Sequence, residues 1–164
     1  QYISLSMINF TFMGWGLLHM ARINHLPNGT LHLLYIILLS EACDNIALLT
    51  ARFLGNHKIV SNITPRRTVE GFVVSLFATL ALAYGLREMV PDVGHQYWIS
   101  AALVAFLAGS LGDLALSVMR RDLGVKDVGA FILGRGGLLD VMDRMIFVAP
   151  IYYYVVFSLH RYYP

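Results

Sequence analysis

Residues 31–51 read LHLLYIILLSEACDNIALLTA, a stretch in which Glu41 and Asp44 are the only charged side chains. About 20 mostly apolar residues in helical conformation span the hydrocarbon core of a membrane. Four further stretches are uncharged and similarly apolar: residues 1–21, 71–86, 97–112 and 145–159. The sequence therefore predicts an all-α fold, a polytopic membrane helical bundle of about five transmembrane helices.

The composition of the whole chain agrees with a membrane location. The 164 residues are 57% hydrophobic and 13% charged, with a mean hydropathy of +0.64. A soluble domain carries about 25% charged residues, so this chain has too few to cover a water-exposed surface. A formal net charge of only +2 argues against a nucleic-acid partner, and the composition excludes disordered and collagen-like chains.

The chain begins with Gln1 and contains a single cysteine, Cys43. A first residue other than Met predicts a fragment or a processed chain. One cysteine cannot form an internal disulfide. Because the sequence has no internal repeat or low-complexity segment, we expect residues 1–164 to form a single domain.

Basic residues concentrate in two of the segments between the apolar stretches, residues 52–70 and 119–139. These segments hold eight of the 12 Lys and Arg: Arg52, Lys58, Arg66, Arg67, Arg120, Arg121, Lys126 and Arg135. Five helices place both segments on one face of the membrane, and the positive-inside rule assigns that face to the cytoplasm. We therefore expect two longer cytoplasmic loops. For any one of these arginines, topological anchoring explains the position as well as ligand binding does.

The aromatic side chains are expected to anchor the helices, and the histidines carry no motif that indicates chemistry. Tyr97, Trp98 and the run Tyr152–Tyr154 are typical of the aromatic belts that anchor helix ends at the membrane interface. The six histidines show no metal-ligand spacing of the H-x-x-x-H type, so we assign them no chemistry.

Acidic residues lie within or at the ends of the apolar stretches, where an acid costs on the order of 3 kcal/mol. They are Glu41, Asp44, Asp113, Asp140 and Asp143. At a rise of about 1.5 Å per residue, Asp44 lies about 12 Å and Asp113 about 10 Å from the basic residues that follow them. The two remaining aspartates open the fifth stretch. We expect three helices to bring carboxylates to a similar depth beneath the basic face.

Carboxylates grouped beneath a basic rim indicate a site for a metal-bound polyphosphate and an anionic, membrane-resident substrate. Carboxylate oxygens suit a hard divalent cation, whereas Arg and Lys suit phosphate groups. A single intramembrane acid can also pair with an arginine across helices, which is the interpretation that we favour for Glu41. An ion-coupled transporter would also use such acids, although typically near the midplane between repeats.

Three sequence blocks, in a fixed order along the chain, make the functional interpretation of the basic segments more specific. The first is TPRRTVEG at residues 64–71, the second GDLALSVMRR at 112–121, and the third runs from Lys126-Asp127 to GGLLDVMD at 136–143. They resemble the phosphatidate cytidylyltransferase family, also called CDP-diacylglycerol synthases. The family pattern is S-P-K-K-T-x-E-G, then G-D-L-x-x-S-x-x-K-R-x-x-x-x-K-D, then H-G-G-x-x-D-R-x-D-S. The segment that begins at Asp44 resembles the family's upstream D-x-x-A.

The resemblance covers about residues 40–150, with three departures from the pattern. Arg135 stands where the family has His, Val141 where it has Arg, and Arg144 where it has Ser. Family members generally have additional N-terminal helices, so the chain is similar to their catalytic C-terminal portion.

The resemblance implies a transferase of phospholipid biosynthesis, a nucleotidyltransferase that moves a cytidylyl group from CTP to phosphatidate. The products are CDP-diacylglycerol and pyrophosphate, and the implied cofactor is Mg²⁺, alone or with a second cation. The implied partners are CTP, phosphatidate and membrane lipid, without nucleic acid, and family analogy suggests a homodimer. The active site would face the cytoplasm from the inner or plasma membrane.

The resemblance also suggests roles for individual residues. The implied catalytic residues are Asp113, Asp140, Lys126 and Arg121. The implied metal ligands are Asp113 and Asp140, assisted by Asp143 and Asp44. The implied substrate-binding residues are Arg66, Arg67, Thr68, Glu70, Ser117, Asp127 and Arg135. Within this set, Ser117 would add a hydroxyl ligand, and Thr68 and Glu70 would either order the 64–71 segment or position the nucleotide. Arg144 could pair with Asp140 one turn earlier, in competition with a metal.

Other functions remain alternatives at this point. A CTP-dependent polyprenol kinase or a CDP-archaeol synthase-like enzyme would share part of the pattern. An ion-coupled transporter would use the acids without consuming CTP. A noncatalytic subunit would account for Val141 and Arg144.

Overall fold

The computed structural model describes residues 2–60, 64–90, 97–122 and 138–162, which form five α-helices and a β-hairpin. The helices are α1 (Tyr2–Asn24), α2 (Gly29–Leu54), α3 (Val69–Gly85), α4 (Tyr97–Asp122) and α5 (Leu138–Tyr162). Strands β1 (Lys58–Val60) and β2 (Thr64–Thr68) lie between α2 and α3. Each predicted apolar stretch coincides with one helix, so the prediction of a helical bundle is confirmed.

Within the described part of the chain, three helices are long and apolar enough to cross a membrane. They are α2 along its whole length, α4 over Tyr97–Ala115 and α5 over Val141–Leu159. Helix α3 is also apolar but shorter, at 17 residues. Of the five expected spans, three therefore meet the length and composition of a membrane span.

The hairpin was not predicted from the sequence, which indicated only a loop at residues 52–70. Its strands are antiparallel, with Lys58 opposite Thr68 and Val60 opposite Thr64. The N–H of Val69 donates a hydrogen bond of 2.9 Å to the carbonyl of His57, which continues the pairing into the first residue of α3. The hairpin therefore leads directly from the end of α2 to the start of α3.

The helices pack as a bundle in which α5 lies against both α1 and α4, while α2 lies against α3 and α4. Small residues allow close approach of the helices: a Cβ placed on Gly16 of α1 would lie 2.6 Å from the Cα of Ile146 on α5. On α4, Ala101, Ala105 and Ala108 are buried and form part of the hydrophobic core. Because successive helices alternate in direction, the ends of α2 and α4 meet the starts of α3 and α5 beside the hairpin.

Two tyrosines expected at the membrane interface lie in the core instead. Tyr97 and Tyr152 are buried, and each hydroxyl lies 3.1 Å from Nδ1 of the buried His32. The aromatic-belt interpretation is therefore wrong for these two residues, because a polar partner inside the bundle satisfies their hydroxyl groups. His32 is thus the shared hydrogen-bond partner of two buried tyrosines. Tyr154, in contrast, is exposed.

Candidate functional site

Three carboxylates and two guanidinium groups meet at the end of the bundle beside the hairpin. They belong to Glu41 and Asp44 of α2, Arg67 of β2, Asp113 of α4 and Arg144 of α5. We call these five residues the carboxylate–arginine cluster. Four elements that are distant in the sequence supply it, so the cluster forms only when the bundle and the hairpin are assembled.

Arg144 lies at the centre of the cluster and contacts all three acids. Its Nε donates to Asp113 at 3.2 Å, and its Nη2 donates to Asp44 at 3.1 Å. Its Nη1 donates to Glu41. The Arg144 side chain is only 8% exposed. The interpretation of Glu41 as an acid paired with an arginine across helices is therefore confirmed.

Arg67 reaches the same carboxylates from the hairpin. Its Nη2 donates to Oδ1 of Asp44 at 2.9 Å and also to Oδ2 of Asp113. The side chain is 14% exposed, so β2 delivers a mostly buried guanidinium to the helix ends. The expected convergence of Asp44 and Asp113 is confirmed by these shared contacts.

The cluster carries an excess of negative charge. With every group ionised, three carboxylates face two guanidinium groups, which leaves a net charge of −1. The aspartate side chains are each 18% exposed, so water screens this charge only in part. Taken over these five described side chains, the charge favours a further cation or a cation-bound ligand over an additional free anion.

Thr68 and Glu70 order the junction between the hairpin and α3. The Thr68 hydroxyl caps the helix by accepting a 3.1 Å hydrogen bond from the N–H of Gly71. Directly beside this cap, a Cβ on Gly71 would lie 2.5 Å from the carbonyl oxygen of Ala47, so the start of α3 touches the backbone of α2. This junction sets the position of Arg67, one residue before the cap.

Glu70 ties the junction to the residue that precedes β1. One carboxylate oxygen lies 2.7 Å from Nδ1 of His57, and the backbone N–H of His57 donates to both oxygens at 3.2 and 3.3 Å. Glu70 lies in the first turn of α3, ahead of the apolar stretch. These hydrogen bonds from His57 lower the pKa of Glu70 to about 2. Of the two roles considered for Thr68 and Glu70, the described contacts show the ordering of this segment.

Two further candidates on α4 and α5 lie near the cluster in sequence. The Ser117 hydroxyl donates a 2.7 Å hydrogen bond to the main-chain carbonyl of Asp113, one turn earlier. Asp143 is half-buried on α5, immediately before Arg144. Ser117 and Asp143 therefore extend the polar end of the bundle along α4 and α5.

Several predicted site residues lie outside the described part of the structure. Lys126, Asp127 and Arg135 belong to the segment 123–137, and the side chains of Arg66, Arg121 and Asp140 are likewise outside it. Their assigned roles stay predictions. The pairing of Arg144 with Asp140 is untested for the same reason, whereas three other acids surround the Arg144 guanidinium.

Sequence reasoning missed the role of Arg144 as an interhelical ligand of Asp44 and Asp113. The available signal was its departure from the family pattern, together with the loss of an arginine at Val141. Positions three apart share a helix face. The guanidinium missing at residue 141 is therefore present one turn farther along α5.

The donor chemistry of the cluster fits Mg²⁺ bound together with a substrate. Within the described ranges, no group of three or more His, Cys, Asp and Glu is arranged to hold a metal ion. Mg²⁺ usually takes one or two protein carboxylates and completes its shell with waters and substrate phosphates. Asp44 and Asp113 provide two carboxylates that contact the same guanidinium groups. A dedicated protein cage is not required for this mode of binding.

Comparison with known proteins gives one family and several relatives. The profile of a family described as the cytidylyltransferase family matches residues 1–159. The phosphatidate cytidylyltransferase of Staphylococcus aureus (strain COL) is 37% identical over 125 residues, 75% of this chain and 48% of the relative. That of Staphylococcus saprophyticus is 31% identical over 147 residues, 88% of this chain and 55% of the relative.

A third relative, the Escherichia coli (strain K12) protein named "Uncharacterized protein YnbB", covers more of this chain. It is 30% identical over 162 residues, 93% of this chain and 54% of the relative. The chain thus spans about half the length of the curated relatives that it matches. Together with the three apolar helices, these likenesses indicate an integral membrane protein.

Proposed function

Because the chain belongs to the cytidylyltransferase family, we propose that it forms the catalytic portion of a phosphatidate cytidylyltransferase. In this reaction a phosphate oxygen of phosphatidate forms a bond to the α-phosphorus of CTP. The bond between that phosphorus and the bridging oxygen of the β-phosphate breaks, and pyrophosphate leaves. The product is CDP-diacylglycerol. The printed names of the two Staphylococcus relatives support this choice of substrates.

The observation that carries the proposal is the meeting of Asp44 and Asp113 with Arg67 at the junction of bundle and hairpin. Both reactants are anions, so the reaction requires positive charge fixed near the phosphates before they approach each other. The hairpin supplies Arg67 from outside the apolar helices. The carboxylates come from the apolar helices of the bundle, Asp44 from α2 and Asp113 from α4.

Positioning and charge stabilisation account for the chemistry that we assign to the protein. The phosphate of phosphatidate is itself the nucleophile, so no activated serine or cysteine is needed. Arg67 would hold a phosphate group of CTP or of the lipid. By the motif, we assign the same task to Arg66, Arg121, Lys126 and Arg135. The motif also suggests that Asp127 and Ser117 contact the bound substrates. Arg144 holds the carboxylates together and oriented.

We propose Mg²⁺ as the cofactor, alone or with a second cation. Asp113 and Asp44 would hold it, together with Asp140 and Asp143 at the start of α5. When bound, Mg²⁺ would lower the charge repulsion between the reacting phosphates and neutralise the leaving pyrophosphate. The net charge of −1 on the cluster supports this assignment.

Product analysis with labelled CTP tests the proposed reaction. Membranes containing the intact protein, phosphatidate and Mg²⁺ should transfer the α-phosphate label to lipid and release pyrophosphate in equal amount. Transfer of the γ-phosphate label without pyrophosphate would instead show a lipid kinase. Ion flux in liposomes without CTP consumption would show a transporter. Absence of CTP-dependent pyrophosphate release in all lipids tested would show a noncatalytic subunit.

We also propose that the hairpin and the cluster face the cytoplasm, in agreement with the basic residues at that end. The exposed positions Lys58 and Glu88 lie before and after α3, so they lie at opposite ends of the bundle. The native Cys43 is buried and gives a low background. In intact cells, a membrane-impermeant maleimide should label Glu88→Cys and leave Lys58→Cys unlabelled. The reverse pattern would contradict this orientation.

The homodimer stays a prediction, which the mass of the solubilised protein tests.

A further inference from the structure

Arg144 is the least exposed charged group of the carboxylate–arginine cluster. Its side chain is 8% exposed, compared with 14% for Arg67 and 33% for Glu41. Its guanidinium nitrogens donate hydrogen bonds to three carboxylates that come from two other helices. The proposed reaction assigns a phosphate contact to Arg67, whereas the described ion pairs of Arg144 are with carboxylates of the chain itself.

The charge balance of the cluster depends on Arg144. Counted over the five described side chains of the cluster, the net charge is −1 with Arg144 and would be −2 without it. Like charges repel more strongly in a partly buried site than in water. Leaving a buried charge without its partner is strongly destabilising. A cluster of this composition with serine at residue 144 would therefore need another cation to stay assembled.

We propose that Arg144 is a built-in cation of the carboxylate–arginine cluster. It holds Asp44 and Asp113 in position and supplies charge that a bound metal ion would otherwise supply. The cluster then stays assembled in the absence of a divalent cation. The proposal rests on the proposed function in one respect, the assignment of these two aspartates as cation ligands. Arg144 is accordingly a positioning residue, which acts through the carboxylates.

Two consequences distinguish this role from simple packing. Replacement of Arg144 by a neutral residue should make the stability of the protein depend on divalent cations. The same replacement should also tighten cation binding, because it removes a repelling positive charge from the carboxylates. A residue that only filled space would change stability equally with and without a cation, and would leave cation affinity unchanged.

The test uses the intact protein in phospholipid nanodiscs, with Mn²⁺ as the probe cation. Arg144→Ser removes the charge, Arg144→Lys keeps it, and the double variant Arg144→Ser/Glu41→Gln restores the wild-type net charge of −1. Arg87→Ser is the matched control, because this arginine stacks on Tyr84 beyond the opposite end of α3. Mn²⁺ binding is measured by electron paramagnetic resonance, and thermal unfolding is measured in EDTA and in Mn²⁺.

We expect Arg144→Ser to bind Mn²⁺ at least about tenfold more tightly than the wild type. Its Tm in EDTA should fall on the order of 5 °C below its Tm in Mn²⁺, whereas wild type, Arg144→Lys and Arg87→Ser should show little difference. The double variant should return toward wild-type behaviour in both measurements.

Unchanged Mn²⁺ affinity in Arg144→Ser, or an equal loss of Tm in EDTA and in Mn²⁺, would overturn the proposal. If Arg144→Ser cannot be purified, the double variant decides: its recovery as a folded protein supports a charge role, and its failure to recover contradicts one. Neither measurement uses CTP or phosphatidate. A negative result for cytidylyl transfer would therefore leave this result standing, and the two proposals can fail separately.

Discussion

Asp44 and Asp113 lie on different helices and share the same two guanidinium groups. In each carboxylate, one oxygen accepts from Arg67 and the other accepts from Arg144. The end of α2 is thereby fixed to the end of α4 through side chains from the hairpin and from α5. A change in the charge of either aspartate must alter the surroundings of the other.

Asp113→Asn should abolish cytidylyl transfer, with a loss of at least about 100-fold, because it removes negative charge that both arginines and the proposed cation require. Asparagine keeps the size of the side chain and can still accept a hydrogen bond, so expression should be largely retained. The measurement is CTP-dependent pyrophosphate release with phosphatidate. Glu88→Gln, at an exposed position, is the control. Near-normal transfer by Asp113→Asn would contradict the metal assignment.

Arg67→Ala should raise the apparent KM for CTP or phosphatidate by about tenfold, since it removes a charge-assisted contact to phosphate. It also releases the hairpin from Asp44 and Asp113. Arg67→Lys should recover part of the effect, because it restores the charge without the planar guanidinium. Steady-state kinetics at varied concentrations of each substrate provide the measurement. An unchanged KM for both substrates would favour topological anchoring as the function of this arginine.

Gly71→Ala should destabilise the junction of hairpin and bundle by about 1–3 kcal/mol, a typical cost of overpacking. The added Cβ would lie 2.5 Å from the carbonyl oxygen of Ala47, so α3 would have to move away from α2. Gly85→Ala is a matched control at the other end of α3, where a Cβ would meet nothing within 4 Å. Thermal unfolding in nanodiscs measures both variants. An equal loss of stability in both variants would show that the close approach at Gly71 does not affect the stability of the fold.

Acid should loosen the contact between Glu70 and His57. The pKa of Glu70 is lowered from 4.5 to about 2 in the folded protein, so its contribution to stability is complete above about pH 4.5 and is lost as the pH falls through about 2. Hydrogen exchange at the His57 amide measures this, because that N–H donates to the Glu70 carboxylate. Glu70→Gln should exchange faster than wild type at pH 6, and the difference should shrink toward pH 2. A difference that is independent of pH would contradict the assignment.

The sequence predicted the helices well because a membrane-spanning helix is encoded by a continuous apolar run. The ends were less accurate: the fourth helix was expected to extend about one turn beyond residue 112, and the fifth helix was expected to begin at Asp140. The helices extend to Asp122 and from Leu138. An apolar window ends at the first charge, whereas backbone hydrogen bonding continues through charged residues near the membrane boundary.

Depth along each helix was sufficient to predict that Asp44 and Asp113 converge. It could not identify the partners of Arg144, because these depend on how each helix is rotated about its axis and which helices are neighbours. The same limit explains why the interfacial position predicted for Tyr97 and Tyr152 was wrong. The partner of their hydroxyl groups, His32, lies on a different helix. The hairpin gave no alternating pattern, since Pro65 and two consecutive arginines occupy β2.

The placement of Arg144 on α5 affects the order in which the cluster forms during synthesis. Arg144 follows Glu41 by 103 residues and Asp44 by 100 residues, so the ribosome synthesises these acids well before their shared counter-ion. Until α5 enters the bundle, the membrane must accommodate the acids of α2 and α4 with Arg67 as the cluster's one available arginine. Insertion of α5 is therefore the step that brings Arg144 to these acids and completes the carboxylate–arginine cluster.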